Sequence, residues 1–304
     1  MLTVLLDAGN SRIKVSFECS DPGAPDPARV YAFASEGLNA LADLIGQLPE
    51  PPARALGASV TSDAIRQELE AILAPCVIEW QTPGQRLLRL KNRYLNPAEL
   101  GPDRWLGMLG VLTRQPIDRP LMLVSFGTAT TVDTIDDHET FLGGIIFPGV
   151  SMMQTSLGAG TARLPVAPMP GQMWPPFPQG TQAAIATGIV AAQTGAIMRQ
   201  WQQVAEHLGQ APLVFVTGGA RAAMQGMRMQ HQRPAQRGIG LIGPVDQTIY
   251  ASCRARGDKG FGSNGHYLRG PTSMAPGRNS VGVLTTAPSR DSPGLSPNQP
   301  APRP

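Results

Sequence analysis

Leu121 to Thr131 reads L-M-L-V-S-F-G-T-A-T-T, and a close analogue, L-T-V-L-L-D-A-G-N-S, starts at Leu2. Each is an apolar, strand-length run that stops in a turn made of glycine and small hydroxyl or amide side chains. Such a turn is poor core material. Glycine lets the backbone approach a ligand, while Ser, Thr and Asn side chains and free backbone N–H groups supply donors to an anion such as phosphate. A single Gly-Thr turn occurs in many hairpins. Two of them, about 120 residues apart and each closing a buried-looking strand, point to two similar domains holding one polyphosphate between them.

A chain of 304 residues has room for two domains, each with its own core. No apolar run approaches the roughly 20 residues of a membrane span. The first residues are already strand-like and lack the basic and apolar regions of a secretory leader. A cytoplasmic protein without a membrane partner is expected. Cys19, Cys76 and Cys253 are odd in number and scattered, which suits reduced thiols. The net charge of +3 would invite a nucleic-acid reading, but it is unevenly distributed. Residues 1–220 carry 14 Lys+Arg against 19 Asp+Glu, a net of −5, and the last 84 residues carry 11 against 3, a net of +8. Few aromatics accompany the arginines of that tail, so no nucleic-acid partner is expected.

Along the chain, Thr3–Leu6, Arg12–Cys19 and Val30–Ala34 read as strands, followed by a helix through Leu38, Leu41, Leu44, Ile45 and Leu48. A strand over Ala53–Val60, a helix capped by Thr61 or Ser62, and a strand over Cys76–Trp80 follow. Residues 86–104 show no clear pattern until Asp103-Arg104 opens a helix through Trp105, Leu106, Leu109 and Leu112. The strand pattern restarts at Leu121–Val124, Thr130–Ile135 and Phe141–Phe147, which argues for duplication of one unit. A helix through Met152 and Leu157, a Pro/Gly/Met-rich loop over 165–180, a long helix capped by Thr181 and a strand over Pro212–Val216 complete the body. That last strand ends in Thr217-Gly218-Gly219, a third glycine turn suited to close approach of a nucleoside. Residues 221–304, rich in Gly, Pro, Ser and Arg, read as a disordered tail, and the abrupt change of composition is what a shifted reading frame would produce.

Two carboxylates stand out. Asp7 ends an apolar strand, where burial is costly unless something pairs with it. A hydrated Mg²⁺ beside a phosphate is one partner, and an Asp capping a hairpin turn is the plain alternative. Asp103 begins a helix, where an acidic residue is commonly only a cap. It also follows the Tyr94, Asn96, Pro97 loop and precedes Trp105, so it could accept a proton from a substrate hydroxyl while Arg104 neutralises an anionic group.

With D-A-G-N-S-R at Asp7–Arg12, G-P-D-R-W at Gly101–Trp105, G-T-A-T-T-V-D at Gly127–Asp133 and G-G-I-I-F-P-G at Gly143–Gly149, the chain resembles the type III pantothenate kinases. The likeness is greatest to the Bvg accessory factor branch and covers roughly residues 1–220. It implies an α/β fold of two duplicated actin/acetate-kinase-like, ribonuclease H-like domains with a nucleotide cleft between them. The divisions expected are residues 1–118, 119–220 and the atypical tail 221–304. The implied reaction moves the γ-phosphoryl of ATP to the 4′-hydroxyl of pantothenate, the first step toward coenzyme A. A regulatory homologue that binds nucleotide without turnover is the alternative.

Carried over by motif, Asp7, Ala8, Gly9, Asn10, Ser11, Arg12, Ile13 and Lys14 would form the first phosphate loop, with Asp7 at Mg²⁺. Gly127, Thr128 and Thr130 would form the second, and Gly218 and Gly219 would face adenosine. Tyr94, Gly101, Pro102, Asp103, Arg104 and Thr181 would line the pantothenate pocket, with Asp103 as base. The resemblance further implies a homodimer and a monovalent cation, K⁺ or NH₄⁺. Many members carry Asp where this chain has Ser125, which sets that cation requirement apart from the rest.

Overall fold

A computed structural model describes residues 2–18, 29–114, 118–160 and 175–220. The first sheet is built on β1 (Thr3–Ala8), whose side chains are buried on both faces because it lies in the middle of the order β3-β2-β1-β4-β5. Strand β2 (Arg12–Glu18) returns antiparallel to β1, and β3 (Tyr31–Ala34) returns antiparallel to β2. Strands β4 (Arg54–Ser59) and β5 (Ile78–Trp80) extend the other side in parallel. Helices α1 (Asn39–Gly46) and α2 (Asp63–Leu73) supply Leu41, Leu69 and Leu73 to the core of Val4, Leu6, Ile13, Val15 and Phe17. Ser62 is the N-cap of α2, its hydroxyl accepting from the Ile65 N–H at 3.5 Å.

The second sheet has the order β11-β8-β9-β10-β7-β6. Here β8 (Leu121–Phe126), β9 (Ala129–Ile135) and β10 (Thr140–Pro148) form the antiparallel meander, and β11 (Leu213–Thr217) runs parallel to β8. The arrangement repeats that of β1, β2, β3 and β4, so the expected duplication of a ribonuclease H-like unit is present in the strand order of both sheets. One addition escaped the sequence reading. β6 (Arg86–Leu87) and β7 (Leu90–Asn92) form a hairpin whose second strand pairs in parallel with β10. The strands are too short for periodicity to register, and the turn residue Leu88 has φ +52°, with no Gly or Asn to announce it.

Helix α3 (Pro102–Arg114) begins on a proline, whose fixed φ and missing N–H suit a first helical position. It packs between the sheets, since Trp105, Leu109, Val111 and Leu112 share one core with Leu5 and Ala58 of the first and Leu121, Leu123, Ile135 and Phe141 of the second. The alternation of β8 puts Met122, Val124 and Phe126 on the opposite face, against Val150 of α4 (Val150–Gly160) and Ile189, Ile197 and Trp201 of α5 (Thr181–Leu208). Thr181 is the first residue of α5 and Gly180 its cap, without a side-chain cap bond, in place of the expected Thr181 cap.

Among the described residues no helix is long and apolar enough to cross a membrane. Cys76 is a free, half-buried thiol. Cys19, Cys253, most of the loop over 165–180 and the tail 221–304 lie outside the described residues.

Candidate active site

The two glycine turns meet. β1 and β8 each end in a turn, and across the gap the hydroxyls of Ser11 and Thr128 lie 2.7 Å apart. Both residues are exposed, and either hydroxyl can donate. Each turn is closed by its own backbone: the Gly9 N–H donates to Arg12 C=O at 3.1 Å and the Gly127 N–H to Ala129 C=O at 3.0 Å. The Gly149 N–H bonds Thr128 C=O at 3.0 Å, and a Cβ on Gly149 would collide with the carbonyls of Gly127 and Thr128. Only glycine fits so close to that backbone.

Gly218 completes the arrangement. Its φ of +98° and the clash that a Cβ would make with the Phe126 backbone place the Thr217-Gly218-Gly219 turn directly against the end of β8. The Ala220 N–H donates to Phe126 C=O at 3.0 Å, and Thr217 pairs in register with Ser125. All three glycine turns singled out in the sequence therefore border one region.

Asp7 and Lys14 are partners across β1 and β2, and the ammonium Nζ lies 2.9 Å from Asp7 Oδ2. That pairing answers the cost of a carboxylate at a strand end, and both side chains keep partial access to water. Ala8 and Ile13 are buried in the first core, so they shape the turn through their backbone, while Asn10 and Arg12 are exposed. The Asn10 carbonyl accepts from the Ser35 hydroxyl at 2.7 Å.

The Gly101–Arg104 segment forms the first turn of α3, between the two sheets. Desolvation is the largest influence on Asp103 and raises its pKa above the ordinary carboxylate range. The Arg104 N–H pulls the other way, and the charges of Asp7 and Asp133 push it up further. Asp103 is itself exposed to solvent at the start of α3. Its carboxylate stands so close to Gly101 that an added Cβ there would lie 2.5 Å from Oδ1.

Arg104 is held by three neighbours. Its Nε donates to Asp133 Oδ1 at 3.1 Å, Nη2 donates to the same carboxylate, and Nη1 donates to Tyr94 Oη at 3.1 Å. The guanidinium stacks 5.7 Å from the rings of Tyr94 and Phe141. Burial works against its charge, but the Asp133 carboxylate and Tyr94 more than offset that, and its pKa rises. Asp133 is completely buried in β9; its burial pushes its own pKa up while the guanidinium opposes the rise. Gly144 of β10 leaves the room for this pair, since a Cβ would sit 2.5 Å from Asp133 Oδ1 and 2.9 Å from Arg104 Nη2.

Two expected site residues are placed differently. Thr130 is completely buried and its hydroxyl donates to Gln193 of α5 at 2.8 Å, so it stands behind the second turn and offers no open hydroxyl. Thr181 is exposed at the start of α5, one residue past its Gly180 cap. Asp133 and Gly144 lie in the motifs that carry the family resemblance, which assign them no site role. A carboxylate inside the β-branched run Thr130–Ile135 is a signal that could have found the first, because a charge in a buried strand needs a partner.

A family model described as type III pantothenate kinase matches residues 3–203, about two thirds of the chain. The type III pantothenate kinase of Bordetella bronchiseptica is 45% identical over 224 residues, covering 72% of this chain and 82% of that one. The enzyme of the same name from Bordetella petrii is 43% identical over 227 residues, covering 74% and 84%. A third, from Paracidovorax citrulli, is 36% identical over 228 residues, covering 72% and 87%.

Proposed function

The chain belongs to the type III pantothenate kinase family, and we propose that it transfers the γ-phosphoryl of ATP to the 4′-hydroxyl of pantothenate, the first step of coenzyme A biosynthesis. The observation that carries this reading is the meeting of Ser11 and Thr128, which joins two glycine turns beside Asp7 and Asp103. Phosphoryl transfer asks little covalent work of a protein, so positioning and charge neutralisation supply most of the rate.

In this reading the turns at Asp7–Lys14 and Gly127–Thr128 hold the phosphates through backbone N–H groups and hydroxyls, and Gly218-Gly219 borders the adenosine. Asp103 accepts the proton of the attacking hydroxyl; desolvation by the surrounding protein and the Asp7 and Asp133 charges raise its basicity, and its exposure leaves it within reach of substrate. Tyr94, Gly101, Pro102 and Arg104 wall the pantothenate side, with Arg104 kept charged by Asp133. Thr181 joins that pocket only if α5 presents it there. The two lobes would divide near residue 118, with the β6–β7 hairpin crossing to the second sheet, and the body would end near residue 220.

A Mg²⁺ ion would be held at Asp7 and neutralises the charge of the phosphates when bound. Such an ion would be held mostly by nucleotide oxygens and water. Ser125 offers K⁺ or NH₄⁺ only a neutral hydroxyl, so activity should depend little on added monovalent cation. The protein acts in the cytoplasm as a homodimer in this reading. A kinase assay coupled to ADP release, with pantothenate as acceptor, tests the reading. Pantothenate-independent ADP release, or none, would reject it.

A further inference from the structure

Gln193 is a polar residue in the middle of α5 with no exposed surface. Its amide is fully engaged: Oε1 accepts from the Thr130 hydroxyl at 2.8 Å, and Nε2 donates to Pro148 C=O at 2.9 Å and lies 3.5 Å from Met153 Sδ. Thr130 is the second residue of β9, just past the Gly127-Thr128 turn, and Pro148 is the last residue of β10, in register with Ala129. The next residue, Gly149, bonds Thr128 C=O. One side chain therefore grips both strands at the root of the turn.

We propose that Gln193 is a positioning residue for the nucleotide's phosphate-binding turn, acting through Thr130 and Pro148. The proposal rests on the kinase reading above. An apolar core would have served to pack α5 on this sheet, as Ile189 and Ile197 do on either side of Gln193. A primary amide buried there adds two directional contacts, which fix the distance between α5 and the strand ends, whereas apolar packing tolerates sliding. Losing the amide leaves the fully buried Thr130 hydroxyl without its partner, where water does not reach, and frees the carbonyl of Pro148, a residue that is itself exposed. The turn would then shift to satisfy them.

The test compares Gln193→Leu, Thr130→Val and the double variant with a control, Ile197→Ala, one helical turn along the same face of α5. The first two should raise the KM for ATP about tenfold, the cost of roughly one unpaired buried group. The KM for pantothenate should change less than twofold. The double variant should be no worse than the poorer single one, because both partners of the bond are then gone. Ile197→Ala should melt at lower temperature with the KM for ATP unchanged. A Gln193→Leu protein that is destabilised like the control, yet keeps its KM for ATP within twofold, would overturn the proposal, as would equal losses for both substrates. Titration of ADP into wild type and Gln193→Leu gives a second readout. If wild type fails to phosphorylate pantothenate but Gln193→Leu binds ADP about tenfold more weakly, the functional reading fails and the positioning role stands. Equal ADP binding would end the positioning role whatever the turnover. Should Gln193→Leu not fold, Thr130→Val carries the same comparison.

Discussion

The hydroxyl of Ser11 and the hydroxyl of Thr128 are 2.7 Å apart although 117 residues separate them in the chain. This contact joins the turn after β1 to the turn after β8, and through them the two sheets.

Because both hydroxyls are exposed, their mutual bond contributes little to stability, about 1 kcal/mol or less. Their value lies in what they offer a phosphate. Ser11→Ala and Thr128→Ala should each raise the KM for ATP by roughly tenfold to a hundredfold, as expected for one lost bond to a charged group. Melting temperatures should stay within about 2–4 °C of wild type. Steady-state kinetics with each substrate varied, alongside thermal melts, would check both statements.

Asp103 has a raised pKa through desolvation first, with the Asp7 and Asp133 charges adding to it. A base must be ionised to act, so kcat/KM should fall on the acid side at a pH above that of an ordinary carboxylate. Removing one of the negative charges, in Asp7→Asn, should move that limb to lower pH, besides lowering the rate. The sign for stability is the reverse of the usual Asp case. A pKa raised in the folded state gives stability that is complete below the unfolded value and is lost as pH rises through the folded one. Asp103→Asn should therefore melt slightly above wild type at neutral pH and lose that advantage in acid.

The Arg104–Asp133 pair is buried on both sides, with side-chain exposures of 6% and 1%. Asp133→Ala would strand the guanidinium without its counter-charge and should cost about 3–5 kcal/mol. Gly144→Ala leaves the charges but drives a methyl group against both, and overpacking of this kind costs about 1–3 kcal/mol. Denaturant titrations would rank the two. Both variants should also lose turnover, since Arg104 is adjacent to Asp103.

At Gly218, φ of +98° combines with contact against the Phe126 backbone. Gly218→Ala should cost at least about 1–3 kcal/mol from the backbone conformation alone. It should weaken nucleotide binding more than pantothenate binding, which titration of each ligand separately would reveal.

The duplicated meander was legible because its strands are long and apolar: β1 and β8 each present six residues of nearly continuous burial, and both end in a glycine turn. That Asp7, Asp103 and Thr128 serve one site is an expectation from motifs carried over from the family, beside which stand the Ser11–Thr128 contact and the Asp7 charge acting on Asp103. Contacts between distant segments were harder to see. Nothing in the local sequence around Arg104 says that Asp133 will neutralise it, and Thr130 reads as a phosphate ligand until α5 brings Gln193 to it. The β6–β7 hairpin was missed for a different reason. Its strands are two and three residues long, so pairing with β10, and no pattern of its own, makes it a hairpin.

The most direct measurement compares wild type with Asp103→Asn at saturating ATP and pantothenate, following 4′-phosphopantothenate by mass spectrometry. Loss of a positioned general base should lower kcat by about 10²–10⁴-fold while ADP still binds with wild-type affinity. An Asp103→Asn protein that turns over pantothenate as fast as wild type would contradict the account.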